Sequence, residues 1–303
     1  MNTDERLGIL SLWSIRSVFI CVHLWFLALG ASAAPIGITD DLGRRVEIKA
    51  PAQRIVSLAP FLTEMAFAVG AGHQVVAVSA YSDYPPEARR LPEVANAAGI
   101  AMETAAALRP GLVLAWKDSI RAPDIDRFGR LGIPVVVVSA RHIDDVARVM
   151  RLVGRVSGRD AQGQARAFGE RIGALRQRYA QRRPMPVLLE VWHQPLTTIA
   201  GSHTMNEALA LCGAPNMFAD LPGVAPVVPW EEVYRRDPEA IVVAGSASRE
   251  AAARESWAQR GTLRAVRERH VVFVDADTLQ RPGPRLAAGV GSLCEALDAA
   301  RGG

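Results

Sequence analysis

The sequence predicts an α/β fold of two parallel-sheet lobes joined by a single long α-helix. Three observations carry this reading. Short apolar runs of strand type alternate with helix-type stretches over most of the chain. One long helical stretch, Asp160 to Gln181, interrupts that alternation near the middle. The two halves also echo each other: Glu103 leads into a short helical stretch, Pro110 and LVLA, and Glu231 into a short helical stretch, Pro238 and AIVVA, with seven residues from Glu to Pro in both. Helix–Pro–strand connections are common, so the echo also has an accidental reading. The boundaries are 1–33 for a leader, 34–157 for the N-terminal lobe, 158–183 for the inter-lobe helix and 184–303 for the C-terminal lobe.

Taken in order, residues 35–50 read as a hairpin turning at Thr39–Gly43, with Val46-Glu47-Ile48 alternating. Arg54–Leu58 is a strand. Pro60–Val69 is a helix, with Pro in its first turn and Gly70 past its end. Gln74–Ser79 is a strand, Glu103–Leu108 a short helix, Leu112–Trp116 a strand, Pro123–Leu131 a helix and Pro134–Ser139 a buried-type strand. Ile143–Val156 is a helix. The long stretch after it carries Ala161, Ala165, Phe168, Ile172, Leu175 and Tyr179 at spacings of 4, 3, 4, 3 and 4, one continuous apolar stripe. Its 22 residues would span about 33 Å, and Arg182-Arg183-Pro184 ends it. Alternation resumes with strand Val187–Val191, helices Thr204–Cys212 and Glu231–Arg236, strand Ala240–Ala244, helix Thr262–Arg267, strand Val271–Val274 and helix Pro284–Ala300.

The leader rests on a twelve-residue apolar run, Val18–Leu29, preceded by Arg6 and Arg16 and followed by Ala31-Ser32-Ala33. This is a secretory signal pattern, short of the roughly 20 residues a membrane span needs, and cleavage after Ala33 is expected. An uncleaved anchor is the competing reading. Export leaves Cys212 and Cys294 in an oxidising compartment, which permits a disulfide between them. Two buried thiols are the alternative, since sequence does not set their separation.

Composition excludes several classes. The chain has 303 residues, 50% hydrophobic and 22% charged, with a net charge of only +4, unlike a disordered segment. Lysine occurs only at Lys49 and Lys117, so 33 of the 35 basic residues are arginine, but these are interspersed with acids rather than clustered with aromatics. No nucleic-acid partner is expected. No G-x-S-x-G, H-E-x-x-H or P-loop occurs, and Gly70-Ala71-Gly72 follows a helix and precedes a strand, the wrong order for a dinucleotide site. His193 and His203 are the one histidine pair left open to meet in space. An exported α/β hydrolase remains a competing class, without a nucleophile and base that sequence can assemble. Neither enzymatic activity nor a cofactor nor a resident metal is expected.

The stretches RIVSLAPFLTEMAFAVGAG, SAYSDYPPEARRLPEV and LRPGLVLAW, and further on FGRLGIPVVVV, LALCGAPNMF and PEAIVVAG, resemble the periplasmic corrinoid-binding proteins of vitamin uptake ABC transporters. The likeness spans residues 52 to 300. Such proteins form the helical-backbone class III of periplasmic binding proteins, with the ligand held in the cleft between the lobes. The resemblance therefore implies a periplasmic monomer that carries cobalamin or a related corrinoid to a permease dimer, with small lobe movements on binding. Ferric-siderophore and haem binders share the fold and form the alternative. The resemblance further implies that Tyr81 faces the corrin ring and that Trp116 contacts the ligand. Trp192 and His193 follow strand Val187–Val191, the matching place across the cleft, where His193 could approach cobalt; a satisfied surface histidine is the plainer reading. Asp277 and Arg281 match an Asp and Arg of the family at four-residue spacing that hydrogen-bond ligand amides; an ion pair at the helix start is the competing reading. Glu103 and Glu231 match two glutamates that dock onto permease arginines, against the plainer reading of carboxylates favoured by helix dipoles. One departure stands out: Ala97 occupies the place of a Trp, which implies a changed preference among corrinoids.

Overall fold

The computed structural model describes residues 35–302; the expected leader lies outside them. The chain begins with the hairpin β1 (Ile36–Thr39) and β2 (Arg45–Ile48). Its turn closes because Asp40 Oδ1 accepts hydrogen bonds from the backbone of Leu42 and Arg44, both at 3.0 Å.

The N-terminal lobe continues through β3 (Ile55–Ser57), α1 (Pro60–Ala68), β4 (Val75–Ser79), β5 (Glu93–Asn96), β6 (Gly99–Ile100), α2 (Met102–Ala107), β7 (Leu112–Trp116), α3 (Ala122–Arg130), β8 (Val135–Val138) and α4 (Asp145–Ser157). Its sheet has the order β6-β5-β4-β3-β7-β8, parallel except for β6. Strand alternation assigns each face. Ile55, Leu112, Leu114, Val136 and Val138 point toward α1 and α4. Val56, Val113, Ala115, Val135 and Val137 meet Ala105 of α2 and Phe128 of α3. Both faces are covered, which is why these strands read as unbroken apolar runs.

Helix α5 (Gln162–Tyr179) is the link between lobes. It is 18 residues long, about 27 Å, two residues shorter than expected at each end; at the N-terminal end Asp160 Oδ1 accepts the Gln162 N–H at 2.9 Å and holds the preceding residues outside the helix. The stripe of Ala165, Phe168, Ile172 and Tyr179 is buried as its spacing requires. The C-terminal lobe follows with β9 (Val187–Glu190), α6 (Thr204–Leu211), α7 (Trp230–Arg236), β10 (Ala240–Gly245), α8 (Glu250–Ala258), α9 (Arg264–Arg267), β11 (Val271–Asp275), α10 (Ala276–Leu279) and α11 (Leu286–Gly302). Its three strands, in order β11-β10-β9, are parallel. One hydrophobic cluster runs from the first lobe through α5 into Leu189, Val242 and Val274 of the second, so the two lobes share an unbroken core.

The internal echo has a local counterpart. Arg109 and Asp237, each directly before its Pro, adopt left-handed backbones with φ of 46° and 43°, an uncommon geometry away from glycine. Strands β5 and β6 and helices α8 and α10 were not expected. The EVAN strand lacks an apolar run, and α8 presents one large buried side chain, Trp257, among alanines and charges.

Cys212 and Cys294 form a disulfide with Cα atoms 4.9 Å apart, tying the end of α6 to α11 across 82 residues of chain. Replacing both by alanine is expected to lower the unfolding free energy by about 2–5 kcal/mol. A urea midpoint unchanged in the double variant would contradict a stabilising bridge.

Candidate functional site

Two concave cups form at the carboxyl ends of the parallel strands, where open α/β sheets place ligands. The N-terminal cup, about 340 Å³, is bounded by Leu58, the Ser79–Tyr81 turn, the β5–β6 hairpin with Ala97, and Ser119–Arg121. The C-terminal cup, about 520 Å³, is bounded by Glu190–Gln194, Val243–Gly245, and Ser248, Arg249 and Ser256 of the segment around α8.

Tyr81 stands at the rim of the first cup with 80% of its surface exposed. Its backbone is left-handed, φ 63°, unfavourable for a side chain of this size. A chain of buried hydroxyls underpins that turn. Thr63 Oγ1 lies 2.8 Å from Ser57 Oγ and 3.2 Å from Ser82 Oγ, and Ser82 Oγ lies 3.3 Å from Ser79 Oγ. Trp116, at the end of β7, packs edge-on against Phe61 at 5.8 Å. Its indole N–H is buried without a hydrogen-bond partner, and its ring lines neither cup.

In the second cup Trp192 is 52% exposed. Its Nε1 donates to the Gln194 carbonyl at 2.9 Å, and the Arg249 guanidinium lies 4.7 Å from its ring centre. His193 is fully engaged. Nδ1 is 3.1 Å from Glu190 Oε1 and Nε2 is 2.6 Å from Ser256 Oγ. The buried Glu190 also accepts from Trp257 Nε1 at 2.6 Å. Neither ring nitrogen is left for cobalt in this arrangement. Glu190, His193 and Ser256 have the connectivity of a hydrolase triad, but Ser256 lies within α8, where its N–H belongs to the helix ladder and offers no oxyanion donor. His203 does not join His193; its Nδ1 accepts the Met205 N–H at 3.2 Å and caps α6. Burial pushes its imidazole pKa down.

Asp277 and Arg281 form the ion pair their spacing suggests, at 2.9 Å, but Arg281 also reaches across the lobes. Its Nη1 is 3.2 Å from Glu64 Oε1 and 2.9 Å from Asp83 Oδ1. Arg285 grips the same Glu64 with two bonds, Nε to Oε2 at 2.9 Å and Nη2 to Oε1 at 2.7 Å. Burial alone would raise the Asp83 carboxyl, yet the hydrogen bond and charge of Arg281, together with a backbone hydrogen bond and the charge of Arg89, hold the group below its usual range. Glu64, in α1 and 3% exposed, gave no signal in sequence. Glu103 and Glu231 sit exposed in the first turns of α2 and α7, and neither has a salt-bridge partner among the described residues.

The family described as "Periplasmic binding protein" matches residues 55–278. The chain belongs to that family. It is a binding-protein family and not one of enzymes. This periplasmic binding protein is 37% identical over 254 residues to the vitamin B12-binding protein of Pectobacterium carotovorum, covering 82% of this chain and 89% of that protein. It is 35% identical over 248 residues to that of Yersinia pestis, covering 81% and 86%. Among solved structures, the periplasmic vitamin B12 binding protein of Vibrio cholerae matches with a TM-score of 0.75 and 33% identity, over 83% of this chain and 98% of that one. The periplasmic haem-binding protein from Roseiflexus, at 23% identity and a TM-score of 0.73, shares the fold.

A second contact bridges the lobes near α5. His142 Nδ1 pairs with Glu207 of α6, whose other oxygen accepts the Ile143 N–H at 2.8 Å. The bond to Glu207 and its charge raise the His142 pKa above 6.5, aided by Asp145 and Asp144. A raised folded-state value means stabilisation that is full below 6.5 and disappears as pH climbs through the raised value. The urea midpoints of wild type and His142→Gln should therefore differ at pH 5.5 and converge at alkaline pH; a gap that widens with pH would refute the pairing.

Proposed function

We propose that this periplasmic binding protein captures cobalamin or a closely related corrinoid between its two cups and delivers it to the permease dimer of an ABC importer. The observation that carries the reading is one largely exposed aromatic on each cup, Tyr81 and Trp192. Covering half of such a ring against a flat macrocycle removes about 75–125 Å² from water, worth roughly 2–3 kcal/mol for each. Identity of 33–37% to vitamin B12-binding relatives supports the same ligand class.

Charge argues in the same direction. Arg121 at the first cup is neutralised by Asp124 at 2.9 Å. Glu190 in the second is buried behind His193. Arg249 of the second cup is the one guanidinium lining the two cups without a carboxylate partner among the described residues, so the cups suit a large macrocycle of low net charge better than a polyanionic ferric siderophore. In this reading Tyr81 and Trp192 contact the ligand, and Trp116 stays packed against Phe61 at the end of β7, outside both cups. His193 fixes the Trp192 turn through Glu190 and Ser256. Asp277 accepts from ligand amides, and Arg281 holds both Asp277 and the Tyr81 loop. Ala97, on the wall of the first cup, leaves more room beside the ligand than a Trp would.

Calorimetric titration of the purified protein with cyanocobalamin tests the proposal. Tyr81→Ala and Trp192→Ala should each weaken binding by roughly 30–150-fold. Failure to bind either cyanocobalamin or dicyanocobinamide, together with tight binding of haem or a ferric siderophore, would replace this reading with the alternative.

One exposed, unpaired glutamate per lobe, Glu103 and Glu231, suits a two-lobed protein seated across a two-fold permease. The Glu103→Lys/Glu231→Lys variant is expected to retain cobalamin affinity and lose cobalamin uptake by cells. Lost affinity, or undiminished uptake, would contradict a docking role.

A further inference from the structure

The two cups differ in charge. In the first, Arg121 carries its own counter-ion, Asp124. In the second, Arg249 has no carboxylate or other side-chain hydrogen-bond partner among the described residues. The acids around it are already committed: Glu250 pairs with Arg254 at 2.7 Å, and Glu190 is buried and bonded to His193 and Trp257. The Arg249 guanidinium lies instead 4.7 Å from the centre of the Trp192 ring. Cation–π attraction of this kind restrains the planar group, and its N–H donors have no side-chain acceptor among the described residues. A restrained, uncompensated guanidinium at the mouth of a ligand cup is suited to an anionic group with two coplanar or near-coplanar oxygens.

We propose that Arg249, laid on Trp192, takes the phosphodiester of the corrinoid's nucleotide arm, so that the C-terminal cup receives that arm and the neutralised N-terminal cup the uncharged face. The proposal rests on the corrinoid reading above. Within it, Arg249 selects complete corrinoids over precursors that lack the phosphodiester.

The test is the ratio of affinities for cyanocobalamin and for dicyanocobinamide, which has no phosphodiester, measured by titration calorimetry on the full mature chain. Wild type should favour cyanocobalamin. Arg249→Gln should cut the ratio about tenfold, and Arg249→Lys, which keeps the charge but not the planar fork, should retain part of it. If wild type binds both corrinoids with a ratio that Arg249→Gln leaves unchanged, this inference alone falls. If both affinities drop in proportion, Arg249 only supports Trp192, and the inference also falls. If wild type binds neither corrinoid, the functional reading falls and takes the inference with it.

Discussion

A single carboxylate, Glu64, buried between two arginines of the opposite lobe, is the constraint on which the arrangement of the site depends. Its side chain is 2% exposed and is held by Arg285 through a two-bond fork and by Arg281 through a third contact. Burying these charges carries a desolvation cost of several kcal/mol per ion, offset only when geometry and hydrogen bonding are nearly complete. Separating the lobes here would strip Glu64 of both its guanidinium partners and leave Arg285 without a carboxylate, while Arg281 would keep only Asp277. The same cluster reaches the ligand loop. Arg281 binds Asp83, and the Arg285 guanidinium lies 4.1 Å from the centre of the Tyr84 ring, so the segment that carries Tyr81 is referenced to the far lobe as well as to its own sheet.

The rest of the framework reinforces that constraint. The stripe on α5 is continuous with the cores of both lobes, and the His142–Glu207 pair adds a polar bridge beside it. A hinge needs a few residues able to change φ and ψ without breaking packed contacts. Here the connection is a helix with a buried face, and hydrophobic and ionic contacts both cross between the lobes. The physical consequence is a cleft whose two cups are largely pre-formed. In the proposed reading, ligand affinity then comes from covering Tyr81 and Trp192 rather than from closing one lobe over the other.

The fold was legible because its strongest signals are local. PVVVVS reads as a strand buried on both faces, and the faces it covers are indeed lined by α1 and α4 on one side and α2 and α3 on the other. The spine was legible from six apolar positions at helical spacing. Strand β5 and helix α8 were not, since one has a single buried residue, Val94, and the other only Trp257 as a large anchor. The site divided in the same way. Tyr81 and Trp192 follow strand ends and could be placed from order along the chain. The partners of His193 and Arg281 could not: Ser256 is 63 residues from His193, while Asp83 and Glu64 are 198 and 217 residues from Arg281. No spacing rule reaches that far.

Arg281 shows why residue matching within a family and the physics of one chain have to be argued separately. The family pattern gives it and Asp277 to the ligand. The electrostatics here give its Nη1 to Glu64 and Asp83 and its Nη2 to Asp277, in a side chain only 15% exposed. A ligand amide competing for those donors would have to unpair Glu64 or Asp83, a loss that a single neutral hydrogen bond, worth about 0.5–1.5 kcal/mol net, does not offset. The groups left for a ligand are those outside these bonds: the second oxygen of Asp277, whose side chain is 46% exposed, and Nε of Arg281. The two assignments are therefore compatible only in one order. Arg281 fixes the lobes and the Tyr81 loop first, and in the proposed reading the ligand meets Asp277 on a surface that this ion cluster has already set.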